Sequence, residues 1–159
     1  MKRLLVLIAC AAVLTGCVTA KVERDSQIMQ DPMWEATLDP VGTHNVRGTV
    51  MVLPLGGDQR GTPSTARVTL SLVNVEPGPS HAWHIHQGVC GSDGPIVGPS
   101  DRYTRVPIGR DGVGQLIVDL PIVLKRDTPY FVHVHDADAM GIETCGALRK
   151  SMGRSNSRW

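Results

Sequence analysis

Residues 81–90 read His-Ala-Trp-His-Ile-His-Gln-Gly-Val-Cys, and residues 130–135 read Tyr-Phe-Val-His-Val-His. Five of the chain's six histidines lie in these two runs, which have the alternating and β-branched patterns of β-strands. Because strand side chains alternate between faces and each residue rises about 3.3 Å, His84 and His86 share a face with Cα atoms about 7 Å apart. Imidazole suits copper, zinc, nickel and iron. The two runs therefore predict a metal site built on two strands.

The chain after residue 33 shows β patterns almost throughout. Alternating or β-branched runs predict strands over residues 34–38, 46–53, 66–75, 82–86, 113–120 and 130–135, with Ala147-Leu148 closing the last strand. Turn signals separate these runs, at residues 56–57, 77–79, 94–95 and 110–112. The predicted fold class is therefore all-β, a Greek-key β-sandwich or barrel of about seven to eight strands. Aromatic residues are sparse, so the core must depend on Val, Leu and Ile.

The first 17 residues are typical of a bacterial lipoprotein signal peptide. Lys2 and Arg3 precede an apolar core over residues 4–14, which is too short to span a bilayer. Leu14-Thr15-Gly16-Cys17 resembles a lipobox with Cys17 as the lipidated residue, and an ordinary signal peptide cut slightly later is the alternative. The predicted location is the bacterial cell envelope, lipid-anchored and facing the periplasm. The predicted segments are the signal peptide, a tether, the β domain and a tail, over residues 1–17, 18–32, 33–152 and 153–159.

The charge balance of the chain gives no support for nucleic-acid binding. The whole chain carries 16 basic and 15 acidic residues, for a formal charge of +1. Removing residues 1–17 takes away two basic residues and no acidic one, which leaves −1. A near-neutral domain lacks the charge excess that is typical of nucleic-acid binding. The sequence also contains no Gly-x-Ser-x-Gly, no phosphate-binding glycine loop and no His-Glu-x-x-His, so no catalytic residues are assigned.

Four short motifs stand along the chain in a family's characteristic order. The histidines of residues 81–86 are followed closely by Cys90. Three more motifs come later, as Asp111-Gly112-Val113, Val134-His135-Asp136 and Thr144-Cys145-Gly146. In this order the chain resembles the copper–zinc superoxide dismutase family, especially its secreted bacterial branch, which has a His-Gly-Phe-His-x-His run. The match covers roughly residues 44–150 and implies a superoxide dismutase-like β fold.

The resemblance implies copper ligands on both histidine runs. His84 and His86 match family ligands on the first run, and His135 matches a ligand on the second. His133 lies two residues before His135 and shares its face in a strand. Three roles stay open for His133: a fourth metal ligand, a hydrogen-bond donor behind a ligand, or a surface residue. His81 is odd-numbered and would point away from the pair in a regular strand, which favours a structural role.

The two cysteines and the two aspartates near the runs have two interpretations each, whereas His44 has one. The resemblance implies a disulfide between Cys90 and Cys145, which an export context would preserve, and metal binding by the pair is the alternative. Asp136 and Asp138 follow the second run and either orient an imidazole or form a turn. His44 is isolated and is predicted to lie on the surface.

The chain departs from the family at the zinc site and at one arginine. No histidine lies between residues 91 and 132, where the family keeps its zinc loop and the histidine that bridges copper and zinc. The resemblance therefore implies copper without zinc. Ile142 occupies the place of the arginine that guides superoxide in the family. Arg102, Arg105 and Arg149 could add positive potential, but none stands in the expected place, and neither Arg102 nor Arg105 is assigned a role.

A second family, of small bacterial β domains named after chordin, is also similar. His84-Ile85-His86-Gln87-Gly88 and residues 130–135 resemble its two histidine runs. The cysteine pair favours the dismutase resemblance.

The predicted function is that of a copper-binding, superoxide dismutase-like envelope lipoprotein. It would be an oxidoreductase if it dismutates superoxide to oxygen and hydrogen peroxide. A non-catalytic module that binds, buffers or delivers copper is the alternative, and the missing bridging histidine and guiding arginine favour it. A metal-free structural or interaction domain is the third hypothesis. The predicted partners are superoxide or copper ions and, through the lipid anchor, the membrane.

Overall fold

The computed structural model describes residues 33–57, 63–137 and 141–151. The predicted signal peptide, lipidation site Cys17, tether and tail lie outside the described residues. The strands β1 to β7 and one 3-10 turn run over Met33–Pro40, Arg47–Gly57, Pro63–Val73, Trp83–Gln87, Gly114–Leu120, Tyr130–His135, Ile142–Ser151 and Ser100–Arg102. None of the helical structure in this part of the chain has the length and apolar character of a membrane span.

The strands form one antiparallel sheet that curls into a half-barrel. Its order is β4-β6-β7-β1-β2-β3-β5, so β1, β2 and β3 form a meander, and the β3–β4 connection crosses to the other side of the sheet. A return of this kind is the Greek-key type of connection. The two histidine runs lie on neighbouring strands, β4 and β6, where His84 stands opposite His133. The predicted all-β fold and its strand number are confirmed.

The hydrophobic core lies on the inner face of the curled sheet. In β1 the buried residues alternate with exposed ones, as expected for a strand with one face against a core. The core consists mainly of valine, leucine and isoleucine, as the composition predicts, and its fully buried members include Leu38, Val52, Val68, Leu70 and Ile85. Trp83 is also buried, and its indole N–H donates to the Thr104 carbonyl at 2.8 Å. Burying each such side chain contributes about 1.5–3 kcal/mol to stability.

A long irregular segment, the covering loop of residues 88–113, bridges the gap between the edge strands β4 and β5. On the β4 side, the Val97 N–H donates to the Ile85 carbonyl at 2.8 Å. On the β5 side, Ile108 forms an isolated antiparallel bridge with Gly114, the first residue of β5. The loop is therefore attached at both edges and lies beside the strand that carries the first histidine run.

Strand β7 begins earlier than the sequence predicts. It starts at Ile142, whereas the sequence indicated only Ala147-Leu148 as the last strand. Its first half buries Glu143, Thr144 and Cys145 in succession instead of alternating buried and exposed residues. A strand that is covered on both faces gives no period-two signal, which is why its first half was missed.

Candidate metal centre

The two histidine runs bring four imidazoles onto the outer face of the β4–β6 pair. On β4, buried core residues alternate with His84 and His86. On β6, core valines alternate with His133 and His135 in the same way. The shared faces that the strand period predicts are therefore present, and the strand pairing joins them into one surface.

Three of these imidazoles form a compact group. One ring nitrogen from each of His84, His86 and His135 lies within 4.8 Å of the other two. The ring centroid of His84 is 5.9 Å from that of His86 and 5.7 Å from that of His135. Nitrogens this close together can bind a single ion. The structure thus brings together, as a possible three-histidine metal site, the three residues predicted as ligands.

His86 is held with one ring nitrogen free for a ligand bond. Its Nδ1 is 2.8 Å from the Gly94 carbonyl oxygen. Because a carbonyl only accepts hydrogen bonds, Nδ1 carries the proton and Nε2 keeps its lone pair. Nε2 is buried and has no hydrogen-bond partner among the residues that the structure describes. The Phe131 ring stacks on the imidazole with centroids 5.1 Å apart and planes 12° from parallel, so its orientation is fixed on two sides.

Gly94 is at this position because no side chain fits there. A Cβ atom added to Gly94 would overlap the backbone carbonyl of Gln87. The missing side chain lets the covering loop approach β4 closely enough for its carbonyl to reach His86. Orienting a ligand imidazole through its second nitrogen is common in metal sites, and no sequence pattern predicts this contact.

His135 stands at an irregularity of β6. The β6–β7 register shifts between Val134 and His135, and shifts of this kind change the direction of a side chain near functional sites. The Nδ1 atom of His135 is buried, and no described part of the chain supplies it with a hydrogen-bond partner. Its backbone carbonyl accepts a hydrogen bond of 2.9 Å from Nδ1 of His81. The position of the second run is therefore fixed through its backbone.

His81 lies on the inner side of the site. Its side chain is 2% exposed, which agrees with the prediction that it points away from His84 and His86. A carboxylate oxygen of Glu143, itself buried, lies 2.9 Å from His81 Nδ1. The side chain of His81 thus contacts the backbone of β6 and a buried acid on β7.

The imidazoles of His84, His133 and His135 are neutral at neutral pH. Burial lowers the pKa of His84 from 6.5 to about 4, with smaller contributions from His135 and His86. Burial also lowers the pKa of His133 to about 4, followed by the effect of the neighbouring imidazoles. The pKa of His135 is lowered mainly by burial. A neutral imidazole has the free lone pair that a metal requires, so no proton must leave before an ion binds.

The disulfide between Cys90 and Cys145 is present, with Cα atoms 6.1 Å apart. Cys145 stands opposite His133 in the β6–β7 register, so the bond fixes the start of the covering loop beside the imidazoles. Because the two sulfur atoms are bonded to each other, the alternative that this pair binds a metal does not hold.

The remaining polar residues have peripheral positions. His44 is exposed, as predicted, with Nδ1 3.9 Å from a carboxylate oxygen of Glu143. The Asp136 carboxylate accepts a hydrogen bond of 3.0 Å from the Gly141 N–H, which is turn chemistry. Asp138 lies outside the described residues.

Arg105 is a residue near the site to which the sequence assigned no role. Its Nε donates to the Ser80 carbonyl at 2.9 Å, and its Nη2 donates to the Ala137 carbonyl at 3.0 Å. The positive charge of this guanidinium is one of the influences that lower the pKa of His135. A fixed cation therefore stands beside the imidazole cluster. An arginine in an irregular segment has no periodic pattern that could have indicated this position.

Comparisons with known proteins add no family to these observations. A scan against protein-family models found no match, and a search of curated proteins found no similar sequence. The function is therefore inferred from the geometry of the site and from the motifs of the sequence.

Proposed function

We propose that this chain is a copper-binding protein that holds the ion through His84, His86 and His135. The observation that carries this proposal is the group of three ring nitrogens within 4.8 Å of one another. Nε2 of His86 and Nδ1 of His135 are also buried without hydrogen-bond partners. A buried polar atom left unpaired costs about 1–3 kcal/mol, and a coordinated ion would remove that cost.

Copper is the metal that these residues favour. Imidazole nitrogens suit both copper and zinc, and a given site generally binds Cu²⁺ more tightly than Zn²⁺. The motif resemblance implies copper at these three histidines. The family's zinc ligands have no counterpart, since no histidine lies between residues 91 and 132.

The bacterial cell envelope is the proposed location, with Cys17 as the lipid anchor. The disulfide between Cys90 and Cys145 supports an oxidising compartment, because such bonds are rare where thiols are kept reduced. The apolar residues 4–14 that precede Cys17 support export.

Dismutation of superoxide is a second candidate function, and the position of Arg105 favours it. In this reaction two superoxide ions and two protons give oxygen and hydrogen peroxide. Bound copper would supply the one-electron exchange. His84, His86 and His135 would hold the ion, and the fixed positive charge of Arg105 would raise the local concentration of a small anion near His135.

Metal analysis tests the binding proposal. The protein and its His86→Gln variant are purified from copper-supplemented cells, and bound copper and zinc are measured alongside circular dichroism. We expect close to one copper per wild-type chain and a large loss in the variant, because one of its three ligands is missing, with an unchanged β spectrum. A wild-type protein that carries no copper would contradict the proposal, and one that carries neither copper nor zinc would favour a metal-free structural or interaction domain.

A superoxide-decay assay on the same copper-loaded protein separates catalysis from binding. Decay faster than with the copper-free protein would support dismutation. A rate equal to that background would leave copper binding, buffering or delivery as the function.

A further inference from the structure

His133 is a buried imidazole beside the three predicted metal ligands. Its side chain is only 6% exposed. No residue in the described ranges makes a hydrogen bond with either ring nitrogen, and neither nitrogen is among the fully buried unpaired atoms. In a neutral imidazole one ring nitrogen carries a lone pair, so His133 can offer that nitrogen to a ligand.

The neighbours of His133 are the histidines of the metal site. It stands opposite His84 in the strand register, on the same face of the β4–β6 pair. Its ring centroid is 5.1 Å from that of His86 and 6.2 Å from that of His135. The Phe131 ring, 4.6 Å away, packs against it. The imidazole thus lies beside the three-nitrogen group without belonging to it, so a nitrogen of His133 would have to move closer to bind the same ion.

We propose that His133 is a fourth nitrogen ligand of the copper centre and completes the coordination of Cu²⁺. This inference rests on the proposed copper-binding function. Cu²⁺ prefers four donors in a tetragonal arrangement, and His84, His86 and His135 supply only three. His133 is the one further imidazole on this face and is already desolvated.

Counting the nitrogens bound to Cu²⁺ tests this proposal. The full chain is loaded with one equivalent of Cu²⁺, and pulsed electron paramagnetic resonance counts the coupled imidazole nitrogens in samples with ¹⁴N- or ¹⁵N-labelled histidine. We expect four imidazoles in the wild type. In His133→Phe, whose ring keeps the contact with Phe131, we expect three imidazoles with copper still bound. His44→Phe, at an exposed position, is the control and should keep four.

The outcomes separate this inference from the proposed function. A wild-type protein that binds one copper through three imidazoles overturns the role of His133 and leaves copper binding intact. A wild-type protein that takes up no copper overturns both. If His133→Phe fails to fold, the wild-type count decides alone, because it needs no variant.

Discussion

Loss of the disulfide between Cys90 and Cys145 should destabilise the domain by an amount that follows from the fold. The bond closes a loop with a sequence separation of 55 residues. In the chain-entropy model, a closed loop of that length restricts the unfolded chain by about 4 kcal/mol. The total unfolding free energy of a domain is about 5–15 kcal/mol. We therefore expect the Cys90→Ser/Cys145→Ser variant to lose about 4 kcal/mol of unfolding free energy.

Urea unfolding, followed by the fluorescence of the buried Trp34 and Trp83, measures this loss. The wild type and the double variant are each unfolded with and without a reductant. We expect the reduced wild type to match the variant, and the reductant to leave the variant unchanged. A loss below about 1 kcal/mol would refute the reasoning, because removing a native disulfide from a small exported domain typically costs about 2–5 kcal/mol.

Two further predictions concern the imidazoles. In the metal-free protein, His84 and His133 have a pKa of about 4 when folded, against 6.5 ordinarily, so the unfolded state binds more protons below pH 6.5. The unfolding free energy should therefore fall by at least about 1 kcal/mol as the pH falls from 6.5 towards 4, and equal urea midpoints across that range would contradict this. Gly94→Ala should weaken copper binding about tenfold or more. The added methyl group would overlap the Gln87 carbonyl and so displace the Gly94 carbonyl that orients His86. Titration calorimetry measures the copper affinity, and an unchanged value would show that this contact is dispensable.

The parts of the site that follow from strand periodicity were predictable. Alternation with the core residues Trp83 and Ile85 decides which face His84 and His86 occupy, and that signal is local to five residues of β4. The neighbouring position of the second run came from the motif resemblance, since no local pattern indicates which strands pair. The disulfide was predicted on the same resemblance and is present.

The parts that depend on loop packing were not predictable. Gly94 and Arg105 lie in the irregular covering loop. The Gly94 carbonyl orients the His86 ring, and the Arg105 guanidinium donates to the Ala137 carbonyl. The direction of the His135 ring depends on a register shift in β6, which leaves no mark in an alternating run of valines and histidines. The burial of Glu143 beside His81 likewise follows from a two-sided strand that has no period-two pattern.

The central claim is that one copper ion is coordinated by His84, His86 and His135. Its most direct test is a crystal structure of the protein grown with one equivalent of copper, with diffraction data collected on both sides of the copper absorption edge. We expect a single copper-specific anomalous peak within bonding distance of a nitrogen from each of the three imidazoles. A peak located elsewhere on the chain, or no peak in crystals that contain copper in the solution, would contradict the claim.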